Sequence, residues 1–310
     1  MVGNARWTTT RYARNGQVQI AYDTFLGSAG DPLMLVMGLG TSRFWWPDGL
    51  CAALADVGFQ VLRYDQRDAG ESTRMPEVRT TNPFVALSRA KSAAYTAEDM
   101  VDDAVAVLDA VDVPAAFVAG HSMGGLLAQR LAIRHPERVL GLVTGGAVPS
   151  DASGLAVWRH LRPRTMVRLA RTTFPEGRQG DIDASVAVAR LIASSTYPID
   201  EEAVRTWAER ESDSGPRDAR AQSRQIGASW SGGRLADVAA PTLVVHGEDD
   251  PIVRPSAARA IAAAIPGARL RIFPGLGHDL PEPLWTEYAR EVRALADQAR
   301  TQDPARRSRP

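Results

Sequence analysis

Ser122 sits at the centre of Gly120-His121-Ser122-Met123-Gly124, a G-x-S-x-G pentapeptide at a junction between a strand-like run and a helix-like one. A sharp turn of this kind forces its central residue into a strained conformation and lifts the hydroxyl off the sheet edge. The following helix N-terminus favours developing negative charge beside it. A serine hydroxyl needs a base to take its proton, and the base needs an acid to orient it. Of the five histidines, His278 follows the glycine loop Pro274-Gly275-Leu276-Gly277 after the last strand-like run. Such a loop at the C-terminal edge of a sheet can carry a ring to the serine. His121 is expected to point away from Ser122, His135 to lie at the surface and His246 to be structural. His160 is a candidate for facing substrate. The acid is expected on the loop Glu248-Asp249-Asp250-Pro251, in the chain order Ser, Asp, His. Asp250 is preferred, with Asp249 in reserve. The backbone N–H groups of Met123 and of Leu39, in Met37-Gly38-Leu39-Gly40, are the candidate donors to an oxyanion. This is the chemistry of acyl transfer, and it requires neither a metal nor an organic cofactor.

Positioning those residues requires a sheet whose strand ends converge. Trp7–Ala13 and Val18–Phe25 read as strands joined by the hairpin signal Asn15-Gly16. Further strands are expected at Leu33–Met37, Phe59–Tyr64, Ala115–Ala119, Val139–Thr144, Thr242–His246 and Arg269–Phe273. Helical patterns lie between them at Trp45–Val57, Thr96–Val111, Met123–Arg134 and Pro255–Ile265, and a last helix runs from Pro281 to about Ala299. Continuous apolar strands alternating with helices indicate an α/β fold, a mostly parallel eight-stranded sheet with helices on both faces. The alternation stops after the sixth strand. From about Val148 to Arg234 the pattern is helical, with Pro163, Pro175, Pro198 and Pro216 at expected helix boundaries. The expected division is a core of residues 1–147 and 235–299, a helical insertion of residues 148–234, and a polar disordered tail of residues 300–310.

The 310 residues carry 36 Lys+Arg and 36 Asp+Glu, a formal net charge of zero. That balance argues against a nucleic-acid surface or a polybasic membrane anchor. The single cysteine, Cys51, excludes an intrachain disulfide and reads as a small buried hydrophobe. No apolar run is long enough to span a bilayer, and the opening MVGNARW has no signal-peptide core. A cytoplasmic protein acting on a small molecule is expected, with no nucleic-acid or membrane partner. Its oligomeric state is left open.

Taken together, the motifs resemble those of the α/β-hydrolase superfamily from Trp7 to about Ala299. They are MGLG, Tyr64-Asp65-Gln66-Arg67-Asp68-Ala69-Gly70-Glu71-Ser72, GHSMGG, HGEDDP and GLGH. Two departures are similar to the branch containing aclacinomycin methylesterase: Asp68 replaces the first glycine of the family's Asp-x-Arg-Gly-x-Gly-x-Ser, and Met37-Gly38 replaces His-Gly. The resemblance implies that the insertion is a helical cap. It also implies ester hydrolysis on a bulky apolar or natural-product-like substrate, and a serine at the elbow excludes the aspartate-dependent epoxide hydrolases and dehalogenases. Lactone opening, monoacylglycerol hydrolysis, C–C bond hydrolysis and cofactor-free perhydrolysis use the same triad and stay open. So does a non-catalytic ligand-binding scaffold on this fold. Trp158, Trp207 and Trp230 of the insertion, with Trp45 and Trp46 beyond the oxyanion loop, are the candidate pocket residues. The run Arg159, Arg162, Arg164 and Arg168 reads as a solvated face.

Overall fold

The computed structural model of the chain describes residues 6–75, 94–216 and 218–302. One sheet organises these residues: β1 (Arg11–Asn15), β2 (Val18–Thr24), β3 (Asp31–Val36), β4 (Phe59–Tyr64), β5 (Ala116–His121), β6 (Val139–Gly145), β7 (Thr242–Gly247) and β8 (Arg269–Phe273). Their spatial order is β1-β2-β4-β3-β5-β6-β7-β8. β1–β2 and β2–β4 are antiparallel, and every later pairing is parallel. Trp7 reaches the sheet only as an isolated bridge to Phe25, so the first strand starts four residues later than its apolar pattern suggested.

Alternate residues of the strands feed two cores, which is why the strands read as continuous apolar runs. Met34 and Val36 pack on one face with α2 (Ala97–Ala110), α3 (Met123–Arg134) and α9 (Pro255–Ala264). Leu33 and Leu35 pack on the other with α1 (Asp48–Asp56) and α10 (Trp285–Gln302). Cys51 is fully buried there. Thr96 caps α2 by accepting a hydrogen bond from the Asp99 N–H, while the Asp99 carboxylate accepts from the Thr96 N–H, a reciprocal capping box.

Prolines account for two differences from the expected helices. Trp45 does not open α1: Arg43–Trp45 is a single 3-10 turn, Trp46 is extended (φ −77°, ψ 112°), and the helix begins after Pro47. The ring of a proline disfavours helical geometry at the residue before it. In the same way Pro281 and Pro283 confine Glu282–Leu284 to a 3-10 turn, and α10 starts at Trp285. It then continues through Gln302, so residues 300–302 are helical instead of tail. Residues 303–310, like 1–5, lie outside the described residues.

Between β6 and β7 the described residues form the α-helices α4 (Leu155–Trp158), α5 (Pro163–Arg171), α6 (Arg178–Ile192), α7 (Glu201–Asp213) and α8 (Ala219–Ile226). Ile182, Val186 and Ala189 of α6 meet Val204 and Ala208 of α7 in a small apolar core that also receives Trp45 and Trp207. A second cluster joins Val157 and Leu161 to Val253 and Ala257 of the sheet domain.

Candidate active site

The parallel strand ends converge where β3 and β5 lie side by side, with Val36 paired to Gly120. Connections leave this point toward opposite sides of the sheet, which opens a crevice for a ligand. Ser122 follows β5 directly and precedes α3, with φ 57° and ψ −124°, a conformation that non-glycine residues avoid. Two glycines make the turn possible. A Cβ at Gly120 would stand 2.2 Å from the Gly124 carbonyl oxygen, and one at Gly124 would stand 2.0 Å from that of Val36. The Ser122 N–H donates to the Gly145 carbonyl (2.8 Å), which ties the elbow to the neighbouring strand.

His278 and Asp250 come to this point from the loops after β8 and β7. The Nδ1 of His278 lies 2.6 Å from Asp250 Oδ2. Asp250 Oδ1 accepts the backbone N–H groups of Ile252 and Val253, each at 2.8 Å, which fixes the carboxylate plane. Asp250 is fully buried whereas Asp249 is exposed, so the paired acid is Asp250. Burial alone would raise the Asp250 carboxyl, but the charge and hydrogen bond of His278 outweigh it and hold it below its ordinary value. Burial opposes protonation of His278, yet the Asp250 carboxylate outweighs that and holds the imidazole above its ordinary 6.5. Ser122 and His278 line one cavity.

His121 packs beneath the base, as its outward orientation from the elbow suggested. Its Nε2 lies 3.0 Å from the His278 carbonyl oxygen, and the two rings are 4.9 Å apart. Desolvation and the neighbouring His278 push it down to about 3, so it stays neutral. His246 stands behind the acid, with Nε2 3.5 Å from Asp250 Oδ2 and 3.0 Å from the Val253 carbonyl oxygen. His135 is half-buried against Asp102 (2.9 Å) and is not a free surface residue. His160 is buried and lies outside the cavity lining.

The loop after β3 brings Gly38 and Leu39 against the elbow. A Cβ at Gly38 would lie 3.3 Å from that of Ser122. Neither Leu39 nor Met123 gives its backbone N–H to a carbonyl of the described chain, and both residues line the cavity beside Ser122. Backbone donors without a carbonyl partner are the kind of group that an oxyanion requires.

The cavity encloses about 1400 Å³, beyond the roughly 300–1,000 Å³ of common small-molecule sites. Trp45 and Trp207 line it and meet edge to face at 6.0 Å. Met166 and Phe174 line it as well. Trp46, Trp158 and Trp230 do not, and the expectation for them is corrected. Trp46 is fully buried in the core behind α1. Trp158 packs on the cluster around Val157 and Val253. Trp230 turns its Nε1 to the Gly233 carbonyl oxygen (3.2 Å) under the Arg130 guanidinium.

The inserted segment bonds to the loops that carry Asp250, His278, Gly40 and Asp68. Arg162, read as part of a solvated face, donates from Nε to the Asp250 carbonyl oxygen (2.7 Å). The His278 N–H donates to the Ile192 carbonyl (2.8 Å), and the Ser194 N–H donates to Asp279 Oδ1 (3.0 Å). Asp68 makes a bidentate pair with Arg224 of α8, both contacts at 2.8 Å, and accepts from the Tyr95 hydroxyl (2.7 Å). Its φ of 69° explains why glycine is usual at this place in the motif. Here a buried ion pair occupies that position, and Asp tolerates the left-handed region better than most side chains. Asp279 and Gln225 also line the cavity and Gln66 donates to the Met37 carbonyl oxygen, and sequence reading did not single them out. Gln66 at least stands inside the Tyr64–Ser72 motif, whereas Gln225 sits in a polar helix with no pattern to mark it.

A sequence model of the alpha/beta hydrolase fold family matches residues 31–282. Rhodomycin D methylesterase DnrP of Streptomyces peucetius is 31% identical over 313 residues, covering 92% of this chain and 98% of its own. A 2-hydroxymuconate semialdehyde hydrolase of Pseudomonas putida is 28% identical, covering 86% and 85%. Among solved structures, the meta-cleavage product hydrolase of Pseudomonas fluorescens IP01 superposes with a TM-score of 0.71 at 20% identity, covering 96% of this chain and all of that one. No described helix is long and apolar enough to cross a membrane.

Proposed function

Because the chain belongs to the alpha/beta hydrolase fold family, we propose that this hydrolase cleaves the methyl ester of a bulky, largely apolar carboxylic acid through an acyl-enzyme on Ser122. His278 takes the Ser122 proton as Oγ attacks the acyl carbon. The N–H groups of Leu39 and Met123 receive the tetrahedral oxyanion. Methanol leaves with the proton returned from His278. Water, deprotonated by the same imidazole, then attacks the acyl-enzyme and frees the acid and Ser122. Asp250 keeps the proton on Nδ1 of His278 and stabilises the imidazolium in both steps.

The observation that carries this reading is the cavity of about 1400 Å³ holding both Ser122 and His278, walled by Trp45, Trp207, Met166 and Phe174. A space of that size and lining suits a fused-ring acyl group, and the 31% identity to a methylesterase favours methanol as the leaving alcohol. Relatives that hydrolyse semialdehyde ring-fission products make C–C cleavage the second reading. Steady-state assays on methyl esters of polycyclic acids, a lactone, a monoacylglycerol and a ring-fission product separate the two. The methyl ester is expected to give the highest kcat/KM by at least about tenfold. A ring-fission product turned over faster than any ester would replace ester hydrolysis with C–C hydrolysis.

A further inference from the structure

The donor loop Met37–Gly40 is held by two glutamine side chains, one on each side of the peptide that carries the Leu39 N–H. Upstream, the Gln66 amide donates to the Met37 carbonyl oxygen. Downstream, the Gly40 N–H donates to Gln225 Oε1 (2.9 Å). Each peptide unit is planar, so fixing its oxygen or its N–H fixes the whole plane. The Met37–Gly38 and Leu39–Gly40 planes are thereby set, and the Gly38–Leu39 plane between them retains little freedom. Gly38 has no side chain to brace it, and Gly40 sits at φ 61°. The Thr41 hydroxyl donates to the Gly38 carbonyl oxygen (3.1 Å) and braces the Gly38–Leu39 plane locally, while the two glutamines fix the planes on either side of it.

Gln225 belongs to α8 of the inserted segment, not to the sheet domain. Its Nε2 donates to the Arg67 carbonyl oxygen (2.8 Å), so both ends of the amide are engaged. The preceding residue, Arg224, forms the buried bidentate pair with Asp68. Glu211 of α7 extends the same hold: its carboxylate accepts from the Ser42 N–H (2.7 Å) and from Trp45 Nε1 (2.7 Å). The pair fixes where α8 sits, and Gln225 transfers that placement to the oxyanion loop.

We infer that Gln225 is a positioning residue for ester hydrolysis: it orients the Leu39 N–H toward the oxyanion, so that the inserted helices complete the site chemically as well as enclosing it. This rests on the reading of Leu39 as an oxyanion donor to chemistry at Ser122. Gln225→Met keeps the length of the side chain and removes both hydrogen bonds. Gln225→Glu keeps the acceptor for Gly40 and removes the donor to Arg67, at the cost of a buried charge. Each variant is assayed on a p-nitrophenyl ester, with active sites counted by end-point titration with a fluorophosphonate. Per titrated site, Gln225→Met is expected to lose roughly 10- to 100-fold in kcat, less than the ~10²–10³ of deleting an oxyanion donor outright. Its KM should stay within about twofold. Gln225→Glu is expected to keep kcat within about fivefold of wild type although it is the less stable protein. A purely structural anchor reverses that order, because the buried charge then does the greater harm. Equal kcat in all three proteins, or Gln225→Glu falling as far as Gln225→Met, overturns the assignment. Wild type that neither labels nor turns over overturns the reading of Ser122 and this assignment together.

Discussion

Ser122→Ala is expected to lower kcat for any ester by at least about 10⁴-fold, because the variant has no nucleophile to form the acyl-enzyme and keeps only the oxyanion donors and binding. The fold should be untouched. The Ser122 side chain caps nothing in α3, the backbone N–H to Gly145 remains, and alanine adds no atom at the elbow. KM should change little, since the cavity walls that contact a bulky acyl group are far larger than one hydroxyl. Loss of activity with an unchanged unfolding midpoint is therefore the expected pair of results. Residual hydrolysis within tenfold of wild type would mean that another group attacks the ester.

Asp250→Asn is expected to lower kcat by about 10⁴-fold, the scale seen when the orienting acid of such a triad is made neutral. The amide can present its NH₂ to Nδ1 of His278 and so stabilise the tautomer that cannot take the serine proton. A second consequence is visible in the pH profile. The Asp250 carboxylate outweighs burial in setting the His278 imidazole and raises it above 6.5. The base must be neutral to act, so activity in the wild type rises with pH through a value above 6.5. Removing the negative charge leaves burial opposed only by the smaller effect of Asp279, and the rising limb moves to lower pH. A limb that stays in place in Asp250→Asn would show that a group other than His278 controls it. Asp249→Asn, on an exposed side chain beside the same loop, should leave both kcat and the limb within about twofold of wild type.

The site was legible where steric necessity leaves a mark in the residue types. Gly120 and Gly124 can only be glycine because carbonyl oxygens of Gly124 and Val36 stand about where their Cβ atoms would be. The elbow and the strand before it could therefore be located from the sequence alone. Helix α3 was bounded correctly at both ends, as was β8, since each is flanked by residues that stop the pattern. Pro47 carried information that the apolar pattern overrode: helical periodicity continues through Trp45 and Trp46, yet proline disfavours α-helical geometry at the residue before it. The same local geometry separates the two tryptophans. Trp45 faces the cavity and Trp46 the core, and adjacent apolar residues give no sign of which goes where.

Asp250 and Asp249 are equivalent as letters, and only burial and the two N–H groups of Ile252 and Val253 distinguish them. Long-range contacts were the least legible. Gln225 meets Gly40 across 185 residues of chain, Arg224 meets Asp68 across 156, and Arg162 meets Asp250 across 88. No local pattern specifies such pairs, because each side chain is an ordinary choice for an exposed helix or turn until the tertiary structure encloses it. Asp68 is the partial exception. Its departure from the family's glycine pointed to this position, and the reason is a buried arginine from a helix that forms far along the chain.

The most direct measurement is peptide mapping by mass spectrometry after stoichiometric labelling with a fluorophosphonate ester, with hydrolysis followed in parallel. The chemistry set out above predicts one adduct, on the peptide containing Ser122, and hydrolysis lost in proportion to its yield. Complete inactivation with the adduct on another residue, or unlabelled Ser122 in protein that has lost its activity, would contradict it.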